Sequence, residues 1–211
     1  MALRLGLPKT FDIWNAVASS KRADTLARLQ WLLKDRKGQL SYKIADRAAE
    51  GGQTAVIDWL IKQGVPVGKS AVESAARHGQ LRMVEHLWIM RHRELGDAVL
   101  AATRGGHLDV LEYLSGARQQ TLWRDTAIRC GHVHLLRHFH QVIPDSDLED
   151  AIELAMAARG DLNLEMVKYL VTERDCAVGA RHCDLAHEHR AFATLQWIRE
   201  EAGVVWEPAD V

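Results

Sequence analysis

Apolar residues return along this chain at the spacing of an amphipathic helix. The clearest case is segment 106–114 (GHLDVLEYL), where Leu108, Leu111 and Leu114 lie three positions apart, with Val110 four before the last. Steps of three and four positions place side chains on one face of a helix. We therefore predict a helix that ends near Leu114 and buries one face.

The same pattern recurs at a fixed interval. Segments 79–87 (GQLRMVEHL) and 52–60 (GQTAVIDWL) repeat it in steps of 27 residues. We call the last apolar residue of each copy its anchor; the anchors are Leu32, Leu60, Leu87, Leu114, Phe139, Leu170 and Ile198. A period of roughly 20 to 50 residues indicates stacked structural repeats, which bury one another's apolar faces.

A shorter, alanine-rich segment precedes each of these helices, for example at 45–49, 71–76, 98–102 and 151–158. Alanine has the highest helix propensity, and its small side chain lets neighbouring backbones approach closely. Several segments close on a glycine, at Gly52, Gly79, Gly106 and Gly131. Glycine suits the left-handed conformation that ends a helix. Each unit is therefore predicted to be a helix, a tight turn and a second helix.

These units resemble the ankyrin repeat family. The resemblance rests on the alanine-rich first helix, the Gly106-His107 and Gly131-His132 turns, and the Val-Leu-x-x-Leu second helix at 110–114. The family's Thr-Pro-Leu-His opening is absent, and the period of about 27–28 residues is shorter than the usual ~33. The chain is most similar to the short, Trp-Leu-containing repeats of oomycetes and other protists. The resemblance implies an all-α solenoid of helix-turn-helix repeats with reduced or absent β-hairpin fingers.

We predict one domain over 1–211 with about seven units, at approximately 11–40, 41–68, 69–95, 96–121, 122–146, 147–179 and 180–206. The first and last units are degenerate, since Asp24 and Arg190 stand where glycine is expected. Trp31, Trp59 and Trp197 recur one residue before an anchor, and packing explains them.

Composition narrows the functional classes. The 211 residues carry a formal charge of −1, with 47% hydrophobic and 26% charged residues. The balanced charge argues against binding nucleic acid or anionic membrane through bulk electrostatics. No run of 18 apolar residues exists to span a membrane. Three scattered cysteines favour a reducing compartment, cytoplasmic or nuclear, and we expect a monomer without a cofactor.

One row of polar residues is the main binding candidate. It lies two positions before the turn glycine and reads Glu50, Arg77, Arg104 and Arg129. The ankyrin resemblance implies that this end of the first helix faces the concave groove, with His78 beside it. Arginines about one repeat apart suit an acidic peptide or protein surface through charge-assisted hydrogen bonds. The alternative is that helix-terminal arginines only complement the helix dipole.

Other candidates lie outside this row. Trp88 and Trp123 fall off the recurring tryptophan position and are candidate exposed anchors for a partner. Arg159 is a candidate extension of the arginine row. By the resemblance, His107 and His132 form hydrogen bonds across turns.

The sequence favours a non-enzymatic module that binds another protein on its concave face. One alternative is a histidine-rich metal-binding or enzymatic protein, because eight of the eleven histidines lie between His78 and His140. His134 and His138 have a zinc-compatible spacing, and Cys176, His182, Cys183, His187 and His189 have suitable side chains. No organised triad or paired carboxylate accompanies them. A further alternative is a passive fragment of a longer array.

Overall fold

The computed structural model describes residues 12–35, 40–90, 95–115, 120–139, 147–158 and 163–207. Within these ranges the chain forms helices and no strand, which confirms the predicted all-α class. The described helices are α1 (Asp12–Ala18), α2 (Thr25–Asp35), α3 (Tyr42–Glu50), α4 (Thr54–Lys62), α5 (Lys69–Arg77), α6 (Leu81–Met90), α7 (Leu95–Gly105), α8 (Leu108–Ser115), α9 (Gln120–Arg129), α10 (Val133–His138), α11 (Leu148–Met156), α12 (Leu164–Thr172), α13 (Ala180–Glu188) and α14 (Phe192–Glu200). None of them has the length and apolar character that crossing a bilayer requires.

The turns inside the helix pairs share one conformation. Gly52, Gly79, Gly106 and Gly131 have φ of 70°, 67°, 71° and 72°, the left-handed region that glycine adopts without strain. The next residue then donates its N–H to a carbonyl oxygen five positions back, as from His107 to Ala102 (3.0 Å). This is the Schellman arrangement at a helix end. Arg190 has the same conformation, with φ of 57°, as expected for a residue in a glycine position.

The chain divides into two compact units, and the first runs from Met1 to Gly116. Its odd-numbered helices pack side by side in chain order, from α1 to α3, α5 and α7. Each also packs against the even-numbered helix that follows it. The buried contacts between odd-numbered helices consist largely of alanines with 0 or 1% exposure, namely Ala45, Ala48, Ala49, Ala71, Ala75, Ala76, Ala98, Ala101 and Ala102. The small side chains explain the close packing.

The second unit runs from Ala117 to Val211 and contains α9 to α14. Helix α11 packs against α9 and α13, and α12 packs against α10 and α14. Leu135, Leu136, Ile152 and Met166 are almost fully buried between these helices. The connection between α12 and α13 is extended, and the Cys176 N–H donates to the Leu170 carbonyl oxygen (3.0 Å). The α4–α5 connection of the first unit has a matching bond from Val65 to Leu60 (3.0 Å).

A side chain seven residues before the anchor bonds to an earlier turn in both units. Gln53 Nε2 donates to the Ser20 carbonyl oxygen (2.5 Å), and His107 Nε2 donates to that of Arg77 (2.9 Å). In the second unit, Asn163 Nδ2 donates to the Ile128 carbonyl oxygen (3.0 Å). The predicted cross-turn role of His107 is confirmed. The corresponding role of His132 stays a prediction.

Candidate functional site

A polar depression of about 580 Å³ lies on the odd-numbered helices of the first unit. Its eleven lining residues come from α1, α3, α5 and the turn after α5, and every one has a polar side chain. They include Glu50, Arg77 and His78 from the predicted binding row. Tyr42 adds an aromatic ring that is 52% exposed. The structure thus brings three of the predicted site residues to one surface.

Helical periodicity explains why these side chains share a face. Tyr42, Asp46 and Glu50 follow one another at steps of four along α3, and all three line the depression. Ala45 and Ala49, one position before Asp46 and Glu50, are fully buried against neighbouring helices. Helix α5 repeats the arrangement. A narrow alanine face therefore leaves a broad polar face, which becomes the floor of the depression.

Contacts between side chains hold the floor in place. Arg47 Nη1 donates to Glu50 Oε2 (2.6 Å), and His78 Nε2 lies 3.5 Å from Glu50 Oε1. Ser70 Oγ donates to Asp46 Oδ1 (2.7 Å) across α3 and α5. The carboxylate of Glu50 thereby links α3 to the turn after α5. Glu50 therefore positions the side chains of Arg47 and His78.

Arg77 and Arg104 are exposed in the last turns of α5 and α7. The turn after Arg104 contacts the Arg77 main chain, because a side chain added at Gly105 would collide with the Arg77 carbonyl oxygen. The two helix ends therefore meet. Within the described part of the chain, the Arg77 guanidinium forms no ion pair, so it is open to an external carboxylate.

The remaining predicted site residues do not join this surface. Arg129 is exposed at the end of α9 in the second unit, and Trp88 is half-buried on α6 outside the depression. Trp123 is fully buried, with its ring centroid 5.1 Å from that of Phe139. The prediction of Trp123 as an exposed anchor is wrong, because α9 turns this side chain into the core of the second unit. Arg159 lies outside the described residues.

The histidine-rich alternative finds no ligand set in the described ranges, where no group of three or more His, Cys, Asp or Glu side chains is placed to hold a metal. Cys176 and Cys183 are buried free thiols, and burial raises the pKa of both. A raised pKa disfavours the thiolate, which is the nucleophilic and metal-binding form. Burial also lowers the pKa of His182, whose Nδ1 accepts the Gly179 N–H (3.1 Å).

Two features were missed or misjudged from the sequence. Tyr42, Asp46 and Ser70 line the depression, and the signal for them was the spacing of three and four among polar residues on alanine-rich helices. Trp31 is 51% exposed, so packing does not fully explain the recurring tryptophan position. That position lies on the even-numbered helices, on a different surface from the depression.

No known protein-family model matches the chain. No curated protein is significantly similar to it.

Proposed function

We propose that this protein is a non-enzymatic module that binds an acidic segment of another protein. The binding surface is the polar depression of the first unit together with the adjacent ends of α5 and α7. One observation carries the proposal: an exposed Arg77 guanidinium, which forms no ion pair with any described residue, stands at the rim of a wholly polar depression.

The physical case rests on preorganisation. Guanidinium groups offer planar donor pairs that match a carboxylate and bind it through charge-assisted hydrogen bonds. The Arg47–Glu50–His78 contacts hold neighbouring side chains in place before a partner arrives. Ordered groups lose less conformational entropy on binding, which favours affinity.

We also propose that the two units belong to one array of ankyrin-like repeats with shortened fingers. The recurring anchors, the left-handed turn residues and the bonds from Gln53, His107 and Asn163 to earlier turns support it. In such arrays each repeat contacts its neighbours and the stack offers an extended surface to a partner. The fold does not specify the partner, and the exposed arginines supply the preference for carboxylate groups.

The experiment is charge reversal at the rim. Arg77→Glu combined with Arg104→Glu should weaken binding of a fluorescein-labelled hexaglutamate peptide by about tenfold or more, because two attractive contacts become repulsive. Fluorescence anisotropy with the full chain gives Kd. Adding Arg129→Glu measures whether the second unit contributes.

The matched control is Arg199→Glu, which reverses an exposed arginine in the last turn of α14. We expect this control to change Kd by less than about twofold, since Arg199 is not part of the proposed surface and exposed charges are screened over roughly 10 Å. Thermal melting by circular dichroism checks that all variants fold. Equal weakening by the control and the rim variants would reduce the effect to general electrostatics and refute the site.

A further inference from the structure

The even-numbered helices carry a second recurring feature, a ring one residue before the anchor. All seven units have one, in the order Trp31, Trp59, His86, Tyr113, His138, Tyr169 and Trp197. None of these residues lines the polar depression. The rings therefore recur at one position of the helix pairs, outside the depression, and we call them the ring row.

His86 and Tyr169 of the ring row each contact a charged side chain of the preceding unit. The Arg137 guanidinium lies 5.7 Å from the Tyr169 ring centroid, and His86 Nε2 lies 2.7 Å from Asp58 Oδ1. Arg137 and Asp58 each stand two residues before the anchor of the preceding unit. In both cases a side chain two positions before the anchor of one unit contacts the ring of the next unit.

The second unit shows how a guanidinium fits such a ring. Arg137 Nε donates to both carboxylate oxygens of Glu173 (3.2 and 3.1 Å) while the guanidinium covers Tyr169. Tyr169 is only 3% exposed. A cation over an aromatic face, with a carboxylate beside it, is a favourable arrangement of charges and ring quadrupole.

The first unit has the same ring without the guanidinium. Tyr113 on α8 is 41% exposed, and Glu85 on α6 takes the position equivalent to Arg137. Asp109 is exposed one helical turn before Tyr113, and α8 (LDVLEYLS) carries no basic residue. Helices α6 and α8 are in contact. This surface has an exposed ring with carboxylates on the same pair of helices, and no cation from the described residues covers Tyr113 as Arg137 covers Tyr169.

Helix α6 carries one arginine, Arg82, one turn before Glu85. It is exposed, and in the described part of the structure it forms no ion pair with Glu85 or Asp109. Among the described residues, no basic side chain forms an ion pair with Glu85 or Asp109. The charge of the surface is therefore complementary to a cation supplied by a partner.

We propose that the surface formed by Glu85, Asp109 and the ring-row residue Tyr113 binds an arginine side chain of a basic segment in a partner protein. The guanidinium stacks on the Tyr113 ring and donates to the neighbouring carboxylates, in the manner of Arg137 on Tyr169 with Glu173. The site is independent of the proposed acidic-segment site, because it uses even-numbered helices and the opposite charge.

The probe is a fluorescein-labelled hexa-arginine peptide, titrated with the full chain at moderate salt and followed by fluorescence anisotropy. Tyr113→Leu removes the ring at constant charge and should weaken binding about fivefold, whereas Tyr113→Phe keeps the ring and should stay within about twofold of the original. Glu85→Gln with Asp109→Asn should weaken binding about tenfold.

Two controls match these changes in type and lie elsewhere. Phe192→Leu removes an exposed ring from the second unit, and Glu188→Gln with Glu201→Gln removes two exposed carboxylates from the same unit. Both should leave Kd within about twofold, since neither changes a residue of either proposed surface. Thermal melting followed by circular dichroism checks that each variant folds. If Tyr113→Leu lowers the melting temperature, the test rests on the comparison of Tyr113→Phe with the variant Glu85→Gln and Asp109→Asn. Absence of hexa-arginine binding, or equal losses in Phe192→Leu and Tyr113→Leu, would overturn the proposal.

Discussion

The imidazole Nε2 of His107 donates a hydrogen bond of 2.9 Å to the main-chain carbonyl oxygen of Arg77. The two residues are 30 positions apart, and each belongs to the turn that closes an odd-numbered helix. The bond therefore joins the ends of α5 and α7, where the Arg77 and Arg104 side chains emerge. The hydrogen bond that joins the two helices and the side chain proposed to bind a partner therefore belong to the same residue, Arg77.

Gly105→Ala should destabilise the first unit by about 1–3 kcal/mol. Alanine has a better helix propensity than glycine, so the local effect alone would be stabilising. The added methyl group would, however, collide with the Arg77 carbonyl oxygen and with the His107 ring. Urea denaturation followed by circular dichroism measures the change.

Gly68→Ala is the control for that substitution. A side-chain carbon at Gly68 would meet only Ser70 Oγ, at 3.9 Å, and the backbone there has φ of −101°. We expect a change within about 1 kcal/mol in either direction. If Gly105→Ala were as mild as this control, the close approach of the two turns would be refuted.

Asn163→Ala should destabilise the second unit by about 1–3 kcal/mol, because buried carbonyl groups lose their donor. Asn163 is 3% exposed, and its Nδ2 lies within 3.0 to 3.4 Å of the Ile128, Arg129 and Ala155 carbonyl oxygens. Gln196→Ala on the exposed face of α14 serves as the comparison, with an expected effect below about 0.5 kcal/mol. Chemical denaturation of both variants decides whether Asn163 holds the turns together.

Trp123→Ala should cost about 3–5 kcal/mol of folding stability, since a fully buried indole leaves a large cavity. Trp31→Ala should cost much less, because half of that side chain is already exposed to solvent. The free energy of unfolding of each variant gives the comparison. A mild Trp123→Ala that nevertheless lost partner binding would restore its role as an exposed anchor.

Acid should weaken the second unit through His182. Burial lowers the pKa of His182 below its ordinary value of 6.5, so the unfolded chain takes up this proton at a higher pH than the folded chain. The stability is complete above pH 6.5 and is lost as the pH falls through the folded-state pKa. His182→Gln should flatten the pH profile of unfolding in this window.

His189→Gln, seven residues further along, provides a histidine control for the acid experiment. Urea denaturation of the wild type and both variants, from pH 7.5 down to acid, gives the stability differences. Parallel profiles for the wild type and His182→Gln would show that burial of His182 does not couple folding to pH.

Local rules were sufficient for much of the helical pattern. Gly106 and Gly131 were recognisable as turn residues because glycine tolerates positive φ, and Arg190 follows from the same register. His107 was placed correctly by the ankyrin resemblance. Trp123 was misplaced because one residue's exposure depends on how its helix is rotated against neighbours that periodicity does not identify.

The sequence by itself determined the all-α class and the turns at Gly52, Gly79, Gly106, Gly131 and Arg190, because apolar spacing and glycine conformation are properties of short segments. The tertiary structure alone decided which polar side chains meet, as Glu50 does with His78 and Asp46 with Ser70. It also decided that Tyr169 is covered while Tyr113 is exposed. The physical reason is that burial and charge pairing arise between helices distant in sequence, where relative distance and rotation follow from packing.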